Sequence, residues 1–232
     1  MKIACVIPGY NEEKYIADVV KRCRAQDLPV YVVDDGSRDR TAELAAGAGA
    51  TVVAHRTNMG KGRSIEDGMA RAAEDGCDAV IFLDADGQHS PEELPLFLQA
   101  AEAGADLVLG CRSFDTATMP RVRSLTNRFM GWCLSRLAGQ KLGDTQSGYR
   151  LIRCGLWPRI RPDSGGFAAE SEMLVHAARA GANIVNVTIS TIYIEGRQSH
   201  IKPVRDTWKF LQLVLRLIFY RRRTSCRNMV DG

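Results

Sequence analysis

An open, mostly parallel α/β sheet with helices wound over both faces is the architecture this sequence predicts, and three observations predict it. Short apolar runs alternate with helix-length amphipathic segments from the first residues onward. The connections between them are short. Each of the early apolar runs stops on a polar signature, which is where open α/β sheets keep their ligands. A length of 232 residues suits one such domain with a short appendage.

The elements follow in order. Ile3 to Ile7 is an apolar strand that ends at Pro8-Gly9, and a helix is predicted from about Glu12 to Arg24. Val30 to Val33 is a second strand, ending at Asp34-Asp35-Gly36-Ser37, before an alanine-rich helix over Thr41 to Ala48. Thr51 to Ala54 reads as a short strand, Gly62 to Glu74 as helix and Ala79 to Leu83 as a buried strand. Ser90-Pro91-Glu92-Glu93 is a good helix start for Pro91 to Ala103, and Asp106 to Leu109 is the next strand. The regularity breaks after Cys111, where residues 113–124 carry Pro, Ser, Thr and Arg without a period and predict a mobile loop. A helix over Leu125 to Leu137 follows, then a mixed region through Asp144 to Arg150, a helix near Ala169 to Ala180 and a strand over Ile184 to Ile194. The last predicted element is a helix from Val204 to Tyr220.

Composition narrows the function classes. With 45% hydrophobic and 25% charged residues the chain has the balance of a soluble globular protein. A net charge of +4 makes no case for a nucleic-acid binder, and much of the excess gathers at Arg221, Arg222, Arg223 and Arg227. The seven cysteines are dispersed with no C-x-x-C pair, which argues against a disulfide framework or zinc site and for reduced thiols in a cytoplasmic setting. The chain opens directly on a strand, so no signal peptide is expected. No apolar run approaches bilayer length, so any membrane contact is expected to be peripheral.

The chemistry is concentrated in Phe82-Leu83-Asp84-Ala85-Asp86-Gly87-Gln88-His89, an apolar run that stops on two carboxylates. Residues i and i+2 of an extended segment project to one side. Asp84 and Asp86, with the Gln88 amide oxygen near, are hard oxygen ligands suited to Mg²⁺ or Mn²⁺ holding a diphosphate. The same residues also read as a polar turn before the next helix. Tyr10 can wall a nucleoside base, and Asp35 or Glu12 can accept from a base or ribose. Asp-Asp-Gly-Ser reads equally as a turn with a helix cap. Gly60-Lys61-Gly62 precedes a helix, so its amides and the Lys61 charge could meet a phosphate, or simply form an N-terminal turn. Neither a Walker P-loop nor a G-x-G-x-x-G fingerprint is present, which disfavours nicotinamide chemistry.

Taken in order, Ile7-Pro8-Gly9-Tyr10-Asn11-Glu12, Val33-Asp34-Asp35-Gly36-Ser37, Asn58-Met59-Gly60-Lys61-Gly62, Asp84-Ala85-Asp86-Gly87-Gln88-His89 and Asp144-Thr145-Gln146-Ser147-Gly148-Tyr149-Arg150 resemble glycosyltransferase family 2. The nearest branch looks like the dolichyl-phosphate mannose synthases and the bacterial polyprenyl-phosphate sugar transferases. Glu170-Ser171-Glu172-Met173-Leu174 and Gly196-Arg197-Gln198-Ser199-His200 continue the match, so the resemblance covers at least residues 3–215. It implies a GT-A fold, a nucleotide-diphosphate sugar donor (GDP- or UDP-hexose), a divalent cation and inversion at the anomeric carbon. Residues 1–202 would form the transferase domain, with 1–112 its nucleotide-binding half and 113–202 its acceptor half, and 203–232 an amphipathic helix and basic tail. Pro8, Tyr10, Glu12 and Asp35 would hold the nucleoside, with Lys61 and Asp84 beside it. Asp84, Asp86 and Gln88 would surround the metal. Arg112, at the end of a core strand, would face phosphate.

The acceptor implied by this branch is a polyprenyl phosphate. A sugar hydroxyl would need a general base, for which Glu170 or Glu172 is a candidate; a phosphate needs none, and the glutamates would then orient sugar or acceptor. One of them also reads as a helix-terminal charge. Arg197, His200 and Lys202 would meet the donor or acceptor phosphate, with His200 standing where some members place lysine. His55 and His176 lack partner spacing and read as structural. In the last helix Trp208, Leu211, Leu215, Ile218 and Phe219 share one side, and Arg221-Arg222-Arg223 follows. That pattern suits either an interfacial helix on anionic lipid or a helix packed on the domain. The rival readings are a transferase acting on a saccharide, protein or small-molecule hydroxyl, and a non-catalytic nucleotide-sugar-binding protein.

Overall fold

The computed structural model of the protein describes residues 1–112, 121–162, 167–190, 192 and 212–217; for 121–128, 167 and 168 it describes the backbone. A seven-stranded sheet lies at its centre, formed by β1 (Ile3–Gly9), β2 (Val30–Asp34), β3 (Thr51–Ala54), β4 (Ala79–Phe82), β5 (Leu107–Arg112), β6 (Arg150–Arg153) and β7 (Ile184–Ile189), in the order β3-β2-β1-β4-β6-β5-β7. All pairings are parallel except those of β6, which runs antiparallel to both neighbours. The helices are α1 (Ile16–Arg24), α2 (Thr41–Gly47), α3 (Lys61–Glu74), α4 (Leu94–Glu102), α5 (Arg121–Ala138), α6 (Trp157–Ile160) and α7 (Phe167–Arg179).

Period-2 alternation along the strands sorts the core into two layers. Val6, Val33, Val80, Phe82, Leu109 and Ile152 meet Ile65 and Met69 of α3, Leu134 of α5 and Met173 and Leu174 of α7. Cys5, Ile7, Val32, Ile81 and Leu151 meet Val19 and Val20 of α1, Ala45 of α2 and Leu94 and Phe97 of α4. The sheet is therefore covered on both faces, as its continuous apolar strands require.

Several elements differ from the sequence reading, and β7 ends at Ile189, short of the predicted Ile194. Strand β6 was not anticipated: Arg-Leu-Ile-Arg is too short for a period to show, and it is flanked by charge. In place, Leu151 and Ile152 point to opposite layers, and Arg150 is 2% exposed. Helix α1 starts four residues later than predicted, because residues 11–13 are drawn to the next loop instead. The Asn11 amide donates to Ser37 Oγ (2.9 Å), the Glu12 amide to Thr41 Oγ1 (2.8 Å) and the Glu13 amide to Asp39 Oδ2 (3.1 Å). Residues 121–124, placed in a loop by the sequence reading, are the first turn of α5, whereas 113–120 lie outside the described residues.

The predicted last helix is described over 212–217, where it is helical. Leu213 and Leu217 dock beside α7, and Arg179 donates to the Leu217 carbonyl at 2.8 Å. The docking side is not the predicted apolar one, since Leu215 is half exposed. Phe219 to Arg223 lie outside the described residues.

Candidate active site

Strand order reverses at the β1–β4 junction, with β2 and β3 laid on one side and β6, β5 and β7 on the other. Ligand crevices of open α/β sheets form at this switch point, at the carboxyl ends of the strands. Ile3 to Val6 pair in register with Ala79 to Phe82, so the residues after β1 and β4 emerge side by side. A Cβ built on Gly9 would lie 3.4 Å from Ala85 Cβ. Tyr10 is 42% exposed at this edge, its ring open to a ligand, while Pro8 and Glu12 are half-buried.

Asp35 sits one residue beyond β2 and is buried. Its carboxylate accepts from the backbone amides of Met59 and Gly60, both at 2.8 Å, and contacts His55 Nδ1 at 2.8 Å. His55 Nε2 in turn meets Asp67 Oδ2 at 3.0 Å, so this histidine ties the loop to α3 and is structural, as expected. Gly36 follows with φ +73°, and a Cβ there would come within 2.5 Å of the Thr57 carbonyl carbon. Only glycine tolerates both constraints. The carboxylate thus fixes the 55–60 segment that delivers Lys61. Asp35→Asn would turn an amide N–H toward backbone N–H groups. Hydrogen exchange at Met59 and Gly60 should then quicken by about tenfold or more, as expected for losing a hydrogen bond to a charged acceptor. Unchanged protection would remove this latching role.

Lys61 opens α3 and is the hub of a charged cluster. Its Nζ lies 2.7 Å from Asp84 Oδ1 and 2.8 Å from Glu170 Oε1. Arg150, opposite Phe82 in the ladder, holds the other side of Glu170: one guanidinium nitrogen donates to the Glu170 carbonyl at 3.1 Å, and a second lies 3.5 Å from Glu170 Oε2 and also donates to the Ser147 carbonyl. Gly148 makes this approach possible, because a Cβ there would lie 2.8 Å from Asp84 Oδ2 and 3.0 Å from Lys61 Nζ.

Burial alone would push the Asp84 carboxyl up, but the Lys61 ammonium, helped by Arg150, holds it well below the usual carboxylate range. Burial likewise disfavours the Lys61 ammonium, and Asp84 and Glu170 outweigh it, so Lys61 stays protonated. His89 is buried and stacks on Tyr149 (centroids 5.0 Å apart), which stacks on Phe97. Burial lowers its pKa despite Asp84 and Asp86, and the neutral ring accepts from the Asp84 amide through Nδ1 at 3.1 Å. His89 therefore shapes the turn that presents the carboxylates.

Asp84, Asp86 and Gln88 would offer an all-oxygen donor set of the kind hard divalent cations take. Asp86 Oδ1 accepts from the Gln88 amide at 2.9 Å, which folds the three residues into one turn. Among the described residues no cluster of three or more His, Cys, Asp and Glu side chains is arranged to hold a metal. The protein's own share would be two carboxylates and an amide. That fits Mg²⁺ or Mn²⁺ completing its shell with a diphosphate better than it fits zinc.

The two glutamates of α7 separate. Positions i and i+2 of a helix point about 200° apart, at 3.6 residues per turn. Glu170 faces Lys61, whereas Glu172 meets Arg216 of the last helical segment and lies 3.9 Å from His176 Nε2. The contact between Glu172 and Arg216 ties the C-terminal segment to α7. Arg112 ends β5 and grips Asp144 through two nitrogens, at 2.5 and 3.1 Å. Arg197, His200 and Lys202 lie outside the described residues. Sequence reasoning assigned no role to Arg150, Gly148, Asp144 or His89. Their place in the Asp144–Arg150 and Asp84–His89 motifs was the available signal, and it carried no individual roles. Beyond Asp144 a cavity of ≈ 640 Å³ is lined by Trp132, Arg136, Lys141 and Asp144 among others.

The profile of glycosyl transferase family 2 matches residues 4–156. The chain is 34% identical to the undecaprenyl-phosphate mannosyltransferase of Micrococcus luteus, over 83% of this chain and 84% of that one. It is 32% identical to the polyprenol monophosphomannose synthase of Mycolicibacterium smegmatis, over 80% and 75%. In fold it is similar to glucosyl-3-phosphoglycerate synthase from Mycobacterium tuberculosis, solved in complex with Mn²⁺, UDP-glucose and phosphoglyceric acid, with a TM-score of 0.70, 22% identity and coverage of 95% and 79%. With its strand-end motifs gathered at one switch point of a GT-A sheet, the chain belongs to glycosyl transferase family 2 and is a glycosyltransferase.

Proposed function

We propose that this glycosyltransferase moves a hexose from a GDP- or UDP-sugar to a polyprenyl phosphate, with Mg²⁺ or Mn²⁺, and with inversion. The observation that carries the donor half is the juxtaposition of Asp84, Asp86 and Lys61 beside the exposed Tyr10 ring. Tyr10 would stack on the base, Pro8, Glu12 and Asp35 would border the nucleoside, and Lys61 would face the diphosphate. Bound between Asp84, Asp86 and Gln88, a divalent cation would neutralise charge on the leaving diphosphate as a Lewis acid.

The acceptor half rests on Glu170. Its carboxylate is engaged by both Lys61 and Arg150, and a carboxylate held in two ion pairs is a poor general base. A phosphate acceptor needs none: its anionic oxygen attacks the anomeric carbon as the bond to the diphosphate oxygen breaks. The names of both sequence relatives point to the same acceptor class. Phe129 and Trp132, 53% and 61% exposed on α5 beside the cavity with Arg136 and Lys141, offer apolar and cationic surface that suits a lipid phosphate. On this reading residues 1–112 hold donor, 113–202 receive acceptor with Arg112, Arg197, His200 and Lys202 near phosphate, and 203–232 touch the cytosolic face of a membrane peripherally. Among the described residues no helix is long and apolar enough to cross one.

Calorimetry with UDP and GDP in the presence of Mn²⁺, followed by transfer to a short polyprenyl phosphate, tests the proposal. Metal-dependent binding of one nucleotide and turnover of the phosphate acceptor are the expected results. Turnover of the corresponding free alcohol instead would overturn the acceptor assignment.

A further inference from the structure

The Asp84 carboxylate already has a cation on it. Lys61 Nζ sits 2.7 Å from Asp84 Oδ1 while also holding Glu170 Oε1 at 2.8 Å. A divalent ion bonds carboxylate oxygens at roughly 2.0–2.6 Å. An ammonium at hydrogen-bond distance therefore fills the space, and one of the lone-pair directions, that such an ion would need. Charge closes the argument. Asp84, Asp86 and Glu170 carry three negative charges and Lys61 and Arg150 two positive ones, so the cluster as it stands is within one charge of balance. A divalent ion arriving alone would leave a surplus positive charge in a half-buried crevice, whereas one arriving with a nucleoside diphosphate brings its own compensation. Glu170 gives Lys61 a place to stay when Asp84 is taken, without the ammonium losing its only anion. The same position, first in α3, lets it turn toward the diphosphate.

We infer that Lys61 is a built-in placeholder for the divalent cation at Asp84, making metal binding strongly dependent on the nucleotide. The inference rests on the proposed metal and donor site and adds to it a thermodynamic coupling with a named carrier. Linkage is reciprocal, so metal and nucleotide should each raise the other's affinity by the same factor, and Lys61 should set much of that factor.

The test is Mn²⁺ titration followed by electron paramagnetic resonance, with no sugar and no turnover, on the full chain. Wild-type protein should bind Mn²⁺ weakly alone and more tightly with saturating UDP or GDP. Lys61→Met should raise affinity for Mn²⁺ alone on the order of tenfold, and the nucleotide-induced gain should shrink correspondingly. Glu170→Gln should act in the opposite direction: with one anion gone, Lys61 concentrates on Asp84, so Mn²⁺ alone binds more weakly and the nucleotide-induced gain grows. The opposed signs keep the test decisive if Lys61→Met fails to fold, since Glu170→Gln then carries it alone. A folded Lys61→Met protein whose affinity for Mn²⁺ alone is unchanged or lower would overturn the placeholder role. So would a Glu170→Gln protein that binds Mn²⁺ alone more tightly. Failure of wild-type protein to bind either nucleotide even with Mn²⁺ would instead overturn the donor site itself.

Discussion

Arg150→Met should lower the unfolding free energy by about 3–5 kcal/mol, the usual cost of removing one partner from a buried ion pair. For a chain of this size the melting temperature should fall by roughly 10 °C. Arg150 is 2% exposed and binds the carbonyls of Ser147 and Glu170 as well as the Glu170 carboxylate. Methionine leaves the two carbonyls without this donor and the Glu170 carboxylate with Lys61 alone, at a buried position. Acid should attack the same cluster. The Asp84 carboxyl is held below its unfolded pKa, so its stabilising contribution is complete above the ordinary carboxylate range and disappears as pH falls through the lower folded value. Thermal melts at neutral pH check the first effect. A fall of only about 2 °C would mean that Arg150 is dispensable and that Lys61 alone holds Glu170.

Asp86→Ala should reduce sugar transfer by about 10²–10³-fold or more, the scale on which losing one electrostatic stabiliser of transition-state charge is felt. Stability should change by no more than about 1 kcal/mol, because the side chain is only partly buried and its hydrogen bond to the Gln88 amide is local. The separation of the two readouts matters. A residue that merely shaped the turn would lose stability and activity together, whereas a metal ligand loses Mn²⁺-dependent nucleotide binding while the fold persists. Melting curves and calorimetry with and without Mn²⁺ distinguish them, and wild-type affinity in Asp86→Ala would remove the residue from the metal site.

How much of this was legible in the sequence differs by element. The strands β1, β2 and β4 announce themselves as apolar runs closed by Pro-Gly, Asp-Asp-Gly-Ser and Asp-Ala-Asp, because strands buried on both faces must be continuously apolar and the chain must turn where they end. The short antiparallel β6 was invisible, since its strand identity comes from the two neighbours that pair with it and not from its own pattern. The start of α1 was misplaced for a similar reason: residues 11–13 have helical neighbours in sequence but hydrogen-bond partners 26 to 29 positions away.

The candidate site divides along the same line. By itself the sequence determined the fold class, the family and the set of strand-end residues Tyr10, Asp35, Asp84 and Asp86, because each lies within a few residues of an element boundary that local pattern reveals. Only the tertiary structure decided what those residues touch. It turned Asp35 inward to hold Met59 and Gly60, set Lys61 between Asp84 and Glu170, brought in Arg150 from a strand with no apolar pattern of its own, and set Glu172 against Arg216. The physical reason is that a charge is assigned by its nearest counter-charge in space. In this protein those counter-charges are separated by 20 to more than 100 positions along the chain, a distance that only the order of strands in the sheet can close.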